Sequence, residues 1–239
     1  MKILPLLLFL LAFSIETRAQ YTDTTNYHLN LISAGSINKT NNEQAYLLNN
    51  SLNVGIKKKS IVLNSNTSWL YGKQNSNLSN NDFSSTMNFN LYKTFPHFYY
   101  WGLVNYNTSY SLKIKNQLLA GGGIAYNFID KPNAYLNISN GILFDKSSLV
   151  EMASYTTLRN SLRLQFHFGF KDLVTFDGSN FLQNSYSREG DYIIRSVTTL
   201  GLKIRKWISL TTALNYNKFN ITTRENLNLT YGLSIDKYF

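Results

Sequence analysis

Apolar and polar residues alternate along most of this chain, and the closing stretch shows the pattern best. Asn226 to Phe239 reads NLNLTYGLSIDKYF. Leu227, Leu229, Tyr231, Leu233 and Ile235 share one face; Asn228, Thr230, Gly232, Ser234 and Asp236 share the other. A strand of this kind faces lipid on one side and water on the other, and bacterial outer-membrane barrels close with such a strand. Period-two runs separated by polar turns predict strands at 27–37, 44–56, 60–72, 82–94, 98–111, 115–129, 133–145, 154–169, 172–184, 191–205, 207–218 and 226–239. The expected fold is therefore all-β: an antiparallel up-and-down transmembrane β-barrel of about 12 strands, filling residues 20–239.

The connections alternate in character. Tight ones fall at Lys57 to Lys59, Thr94 to His97, Asp130 to Asn133, Phe170-Lys171 and Arg205-Lys206. Longer polar ones fall at Ile37 to Glu43, Lys73 to Asn81, Asp145 to Met152, Asn184 to Gly190 and Phe219 to Glu225, while Leu112 to Lys115 is short for its set. Short periplasmic turns and longer outer loops have this asymmetry. Leu158, Leu162, Leu164, Phe166 and Phe168 share a face opposite Arg159, Ser161, Arg163, Gln165 and His167. Leu200, Leu202 and Ile204 likewise oppose Arg195, Thr199, Gly201 and Lys203. A cation on the lipid face costs ~2–4 kcal/mol at mid-bilayer, so the basic members are expected to line the interior. Lys237 has lipid-facing parity but lies near enough to the end to snorkel. Aromatic clusters such as Phe98 to Trp101 sit at strand ends, where interfacial girdles form.

At the amino terminus, Lys2, the apolar run Ile3 to Phe13 and the small residues Thr17 and Ala19 predict a signal peptide over residues 1–19. That run is too short to span a bilayer. The chain contains no cysteine, which excludes a lipoprotein anchor, a disulfide framework and thiolate chemistry. The net charge is +10, or +9 once Lys2, Arg18 and Glu16 are removed. The basic residues are scattered, with Lys57 to Lys59 the only run and no nucleic-acid motif beside them, so no nucleic-acid partner is expected.

Five segments carry a resemblance: SAGSINKTNNEQAY at Ser33–Tyr46, LLAGGGIAYNFID at Leu118–Asp130, LNISNGILFD at Leu136–Asp145, DYIIRSVTTLGLKIRKWISLTTAL at Asp191–Leu214 and RENLNLTYGLSIDKYF at Arg224–Phe239. With these the chain resembles the YdiY-like family of salt-induced outer-membrane proteins, a family of unknown function. The resemblance implies an outer-membrane barrel with no established enzymatic activity. It places the protein in the bacterial cell outer membrane, with membrane lipid as one partner. The terminal Phe239 resembles the signal read by barrel-insertion machinery.

Chemistry is sparse. Small outer-membrane lipases resemble one another in a His-x-Ser pair, and none of His28, His97 or His167 has it. No His-Glu-x-x-His, EF-hand loop or paired carboxylate spacing is present, so no catalytic residue, metal or cofactor is expected. Gly121-Gly122-Gly123 lacks the Lys-Ser/Thr of a phosphate loop and reads as strand glycines that relieve curvature or admit a bulky opposite side chain. The one constellation of interest is Arg159, Arg163, His167, Arg195 and Lys203, with Arg205 at its margin and Asp177 and Asp145 on the same inward parity. It could attract anions at a constriction. An ion-paired plug is the reading favoured here, with Asp177 expected between Arg163 and Arg195. The functions open are a structural envelope component or narrow passive pore, and alternatively a barrel-type lipid hydrolase. Neither solute nor oligomeric state is legible.

Overall fold

The structure is a computed structural model that describes residues 26–239 except Pro132 and Glu151. The signal-peptide reading and the turn position of Pro132 fall outside the described residues. Twelve strands follow in order: β1 Tyr27–Lys39, β2 Gln44–Lys58, β3 Ile61–Gln74, β4 Asn77–Phe95, β5 Phe98–Ser109, β6 Ile114–Lys131, β7 Ala134–Leu149, β8 Tyr155–Phe170, β9 Val174–Ser185, β10 Tyr192–Arg205, β11 Ile208–Phe219 and β12 Arg224–Tyr238. Each pairs antiparallel with the next, and β12 pairs with β1 to close the barrel. Closure leaves no free sheet edge. The seam is finished by the last residue: the Asn26 and Tyr27 amides donate to the Phe239 carbonyl at 2.9 and 3.2 Å, and the Phe239 amide donates to Tyr27 at 2.9 Å.

Parity sorts the faces. On β12, Leu229, Leu233 and Ile235 are exposed on the outside, while Thr230 and Ser234 are buried inside. Lys237 keeps its outward parity and lays its ammonium over the Phe239 ring, 4.8 Å from the centroid.

One end of the barrel carries the connections at 59–60, 96–97, 171–173 and 206–207, the start of β1 and Phe239; we call it the turn end. The loop end carries those at 40–43, 75–76, 110–113, 186–191 and 220–223. The expected long loop over Lys73 to Asn81 is instead a two-residue hairpin. Asn75 and Ser76 both adopt positive φ (49° and 67°), the backbone of a tight hairpin turn. Asn80 is thus a buried residue of β4, and Ser147 likewise lies within β7 rather than in a loop. The strands rise past the apolar band, and there polar residues occupy both faces.

The triple glycine allows a close approach of backbones. A Cβ at Gly123 would lie 2.1 Å from the Asn140 carbonyl oxygen, and one at Gly121 would lie 2.1 Å from that of Ile142. β6 and β7 therefore fold against each other more closely than side chains permit, and the Trp101 ring lies over the hollow at Gly141.

Candidate functional site

The interior is where buried charged side chains converge among the described residues. From the loop end inward it is built in layers.

The first layer is apolar. Ile114, Leu149, Ile193 and Phe219 form one buried cluster, joined by Leu112, Tyr155 and Ile221. It links β6 and β7 to β10 and β11 across the lumen. The short connection 110–113 folds over the same mouth. Ser111 donates to Asp82 on β4 at 2.7 Å and accepts from Asn226 on β12 at 2.8 Å.

Beneath lies a dry polar layer. Arg159 Nε meets Asp145 Oδ2 at 2.5 Å and Nη2 meets Asp191 Oδ2 at 2.8 Å; the Arg159 and Asp145 side chains are 0% exposed. Gln117 donates to both Asp145 oxygens at 3.1 Å and accepts from Arg195 at 2.8 Å. Arg195 also reaches Asn105 Oδ1 at 3.3 Å. Since β10 and β5 are five strands apart in the ring, the Arg195 side chain crosses the barrel.

The next layer holds Arg163, which is 5% exposed and donates from Nε to Ser139 Oγ at 3.1 Å. Its guanidinium carbon lies 5.1 Å from the Trp101 ring centre and 5.8 Å from that of Phe181. Tyr99, Leu103, Ala125 and Leu143 pack with Trp101.

Nearest the turn end, His167 Nδ1 is 2.6 Å from Asp177 Oδ1, and its ring stacks on Tyr135. Here water reaches further: the Asp177 side chain is 42% exposed. Lys203 is half-buried on the inward parity at this end, with no carboxylate paired to it among the described residues, while Arg205 lies beyond a bulge and is exposed. On the opposite wall Asn66, Asn53 and Asn30 hydrogen-bond in a row that ends on Ser234 and Asp236.

The position expected for Asp177 is corrected by the register. Arg163 and Arg195 both stand opposite Phe181, whereas Asp177 stands opposite His167 and Thr199. The reason is antiparallel geometry: Phe170 pairs with Val174 around a three-residue turn, so a residue near the start of β9 meets only residues near the end of β8. The carboxylates that answer Arg159 are Asp145 and Asp191. Asp145 had the inward parity to suggest it; Asp191 and Gln117 carried no sequence signal, because their contacts cross between strands distant in the chain.

The sequence profile of the family described as "Protein of unknown function, DUF481" matches residues 32–234. No curated protein matches the chain. Among solved structures it is similar to the NanC porin, with a TM-score of 0.54 and 10% identity over 88% of this chain and 99% of that one. It is similar to the translocator domain of autotransporter NalP from Neisseria meningitidis, with a TM-score of 0.51 and 11% identity over 92% and 90%. An outer-membrane channel from Pseudomonas putida F1 gives a TM-score of 0.50 and 8% identity over 95% and 100%. Likeness at such identities establishes the barrel fold alone.

Proposed function

The chain belongs to the DUF481 family of proteins of unknown function, and from its interior we propose that it is an outer-membrane barrel shut at rest, a structural component of the envelope rather than a freely conducting pore. The outer face supports the membrane setting. Leucines, isoleucines and aromatic residues stand exposed there on every strand, a surface larger than water-soluble proteins tolerate and one that lipid would cover. The single observation that carries the closed state is Arg195 reaching across to Asn105 and Gln117 beneath the apolar lid.

A narrow passive pore is the second reading. Val197 faces inward yet is 39% exposed, so water reaches part of the lumen beside the neutral asparagine wall. A hydrolase would use the His167–Asp177 pair, but among the described residues no hydroxyl is bonded to that imidazole, and the passive readings are preferred. Conductance across a planar bilayer separates the cases. The mature protein should show no steady open steps, and Arg195→Ala should create them. Steady steps from the unaltered protein would sink the closed-barrel reading.

We also infer that the Phe239 end of β12 is presented to barrel-insertion machinery. Deleting Phe239 removes the seam bonds to Asn26 and Tyr27 and should lower the heat-modifiable, folded fraction in outer membranes. An undiminished folded fraction would remove that role.

A further inference from the structure

Counting charge by layer isolates one residue. Arg159 and Arg195 share their layer with Asp145 and Asp191, so that layer is neutral. Arg163 has no carboxylate within salt-bridge distance, although it is 5% exposed and its charge cannot be lost near neutral pH. A buried cation without a counter-charge is costly unless something neutralises it.

The surroundings of Arg163 say what that would be. Trp101 and Phe181 cover the guanidinium with their rings, which leaves its in-plane edges as the places to donate. Nε is taken by Ser139 and the Tyr99 hydroxyl is a second hydrogen-bond partner, so among the described residues the guanidinium meets hydroxyls and no carboxylate. Trp101 adds an unused donor, since its buried indole Nε1 has no partner among the described residues. The unsatisfied acceptors nearby, Gln183 Oε1 and Asn137 Oδ1, belong to the inward positions next above and below on the neighbouring strands. Five N–H groups against two hydroxyl partners leave donors on a cationic edge that match two oxygens carried on one centre.

We propose that Arg163 and Trp101 form an oxyanion-binding station in the lumen, taking a small carboxylate or phosphate from the turn end. Side-chain exposure falls from 42% at Asp177 to 0% at Arg159, so the turn end is the wetter approach. The Lys57–Lys59 run, Lys171 and the Arg205–Lys206 pair sit at that end and draw anions towards it. The station rests on the closed-barrel reading only for this direction of approach, and binding is measured without reference to conductance.

Trp101 is itself the probe. The mature chain carrying Trp69→Phe and Trp207→Phe, folded in detergent, is titrated with sodium acetate, inorganic phosphate and sodium chloride while Trp101 emission is followed. Acetate or phosphate should give a saturable change at concentrations where chloride does not, and the tighter of the two identifies the ligand class. Arg163→Gln should abolish the change. Arg163→Lys, which keeps the charge but not the forked edge, should weaken binding about tenfold. Ser139→Ala serves as a second variant in case Arg163→Gln fails the heat-modifiability check for folding, and it should also weaken binding. No saturable change, an equal response to chloride, or an unaltered response in folded Arg163 and Ser139 variants would overturn the station. A barrel that conducts yet binds loses the closed reading alone; one that is shut and does not bind loses the station alone.

Discussion

Replacing Asp145 with asparagine should lower the free energy of unfolding by about 3–5 kcal/mol, the range for breaking a buried ion pair at one partner. The neighbours of this carboxylate explain the size. Arg159 Nε donates to Oδ2, Gln117 Nε2 donates to both oxygens, and Ser147 Oγ donates to Oδ1 at 2.6 Å. Every one of these groups is a donor. An asparagine keeps one accepting oxygen and points two amide hydrogens at the remaining donors, so it loses the charge and reverses a hydrogen bond together. The layer would then hold Arg159 and Arg195 against Asp191 alone. Urea unfolding in lipid vesicles measures the effect. Asp145→Asn combined with Arg159→Gln should recover part of the loss, because the stranded cation goes too. A loss below about 1 kcal/mol would mean that water reaches this layer and screens it, as it does surface pairs.

Asp145 also shows what the sequence could and could not reveal. Its parity was legible: a two-residue period assigns each strand residue to a face, and Asp145, Arg159 and Arg163 all read as inward. Their partners were not legible. Strand register depends on turn length to the residue, and the three-residue turn at 171–173 carries Asp177 to His167 rather than Arg163. Contacts across the lumen lie further out of reach, since Arg195 meets Asn105 and Gln117 only once β12 has closed on β1. The polar run Lys73 to Asn81 read as a loop for a related reason. Beyond the apolar band a strand has water on both sides, so alternation fades although pairing continues. Trp101 read as an interfacial aromatic beside a turn; it is an interior residue that fills the hollow left by glycines on β6 and β7.

That hollow gives the other large effect. Gly141→Val should abolish accumulation of folded barrel, and Gly141→Ala should cost about 3 kcal/mol, the upper end for overpacking a tight core. A Cβ at Gly141 would lie 2.4 Å from the Gly122 carbonyl oxygen, 2.5 Å from Trp101 Cζ2 and 2.8 Å from the Gly123 Cα. Two of those three atoms belong to the backbone of β6. Rotating the indole away therefore cannot make room, and β6 and β7 must separate. Separation weakens a ladder pinned by Gly123 opposite Gly141 and moves Trp101 off Arg163. Gly102 is the control: it faces outward on β5, two strands from Gly141, and its Cβ would meet nothing nearer than 3.8 Å. Gly102→Ala should fold as the native chain does. The same comparison tests the origin of the defect, because adding Trp101→Ala to Gly141→Ala should recover none of the lost stability. If removing the indole recovered stability, the side chain rather than the strand spacing would be the constraint, and the close approach of β6 to β7 would not be what the glycines are there to allow.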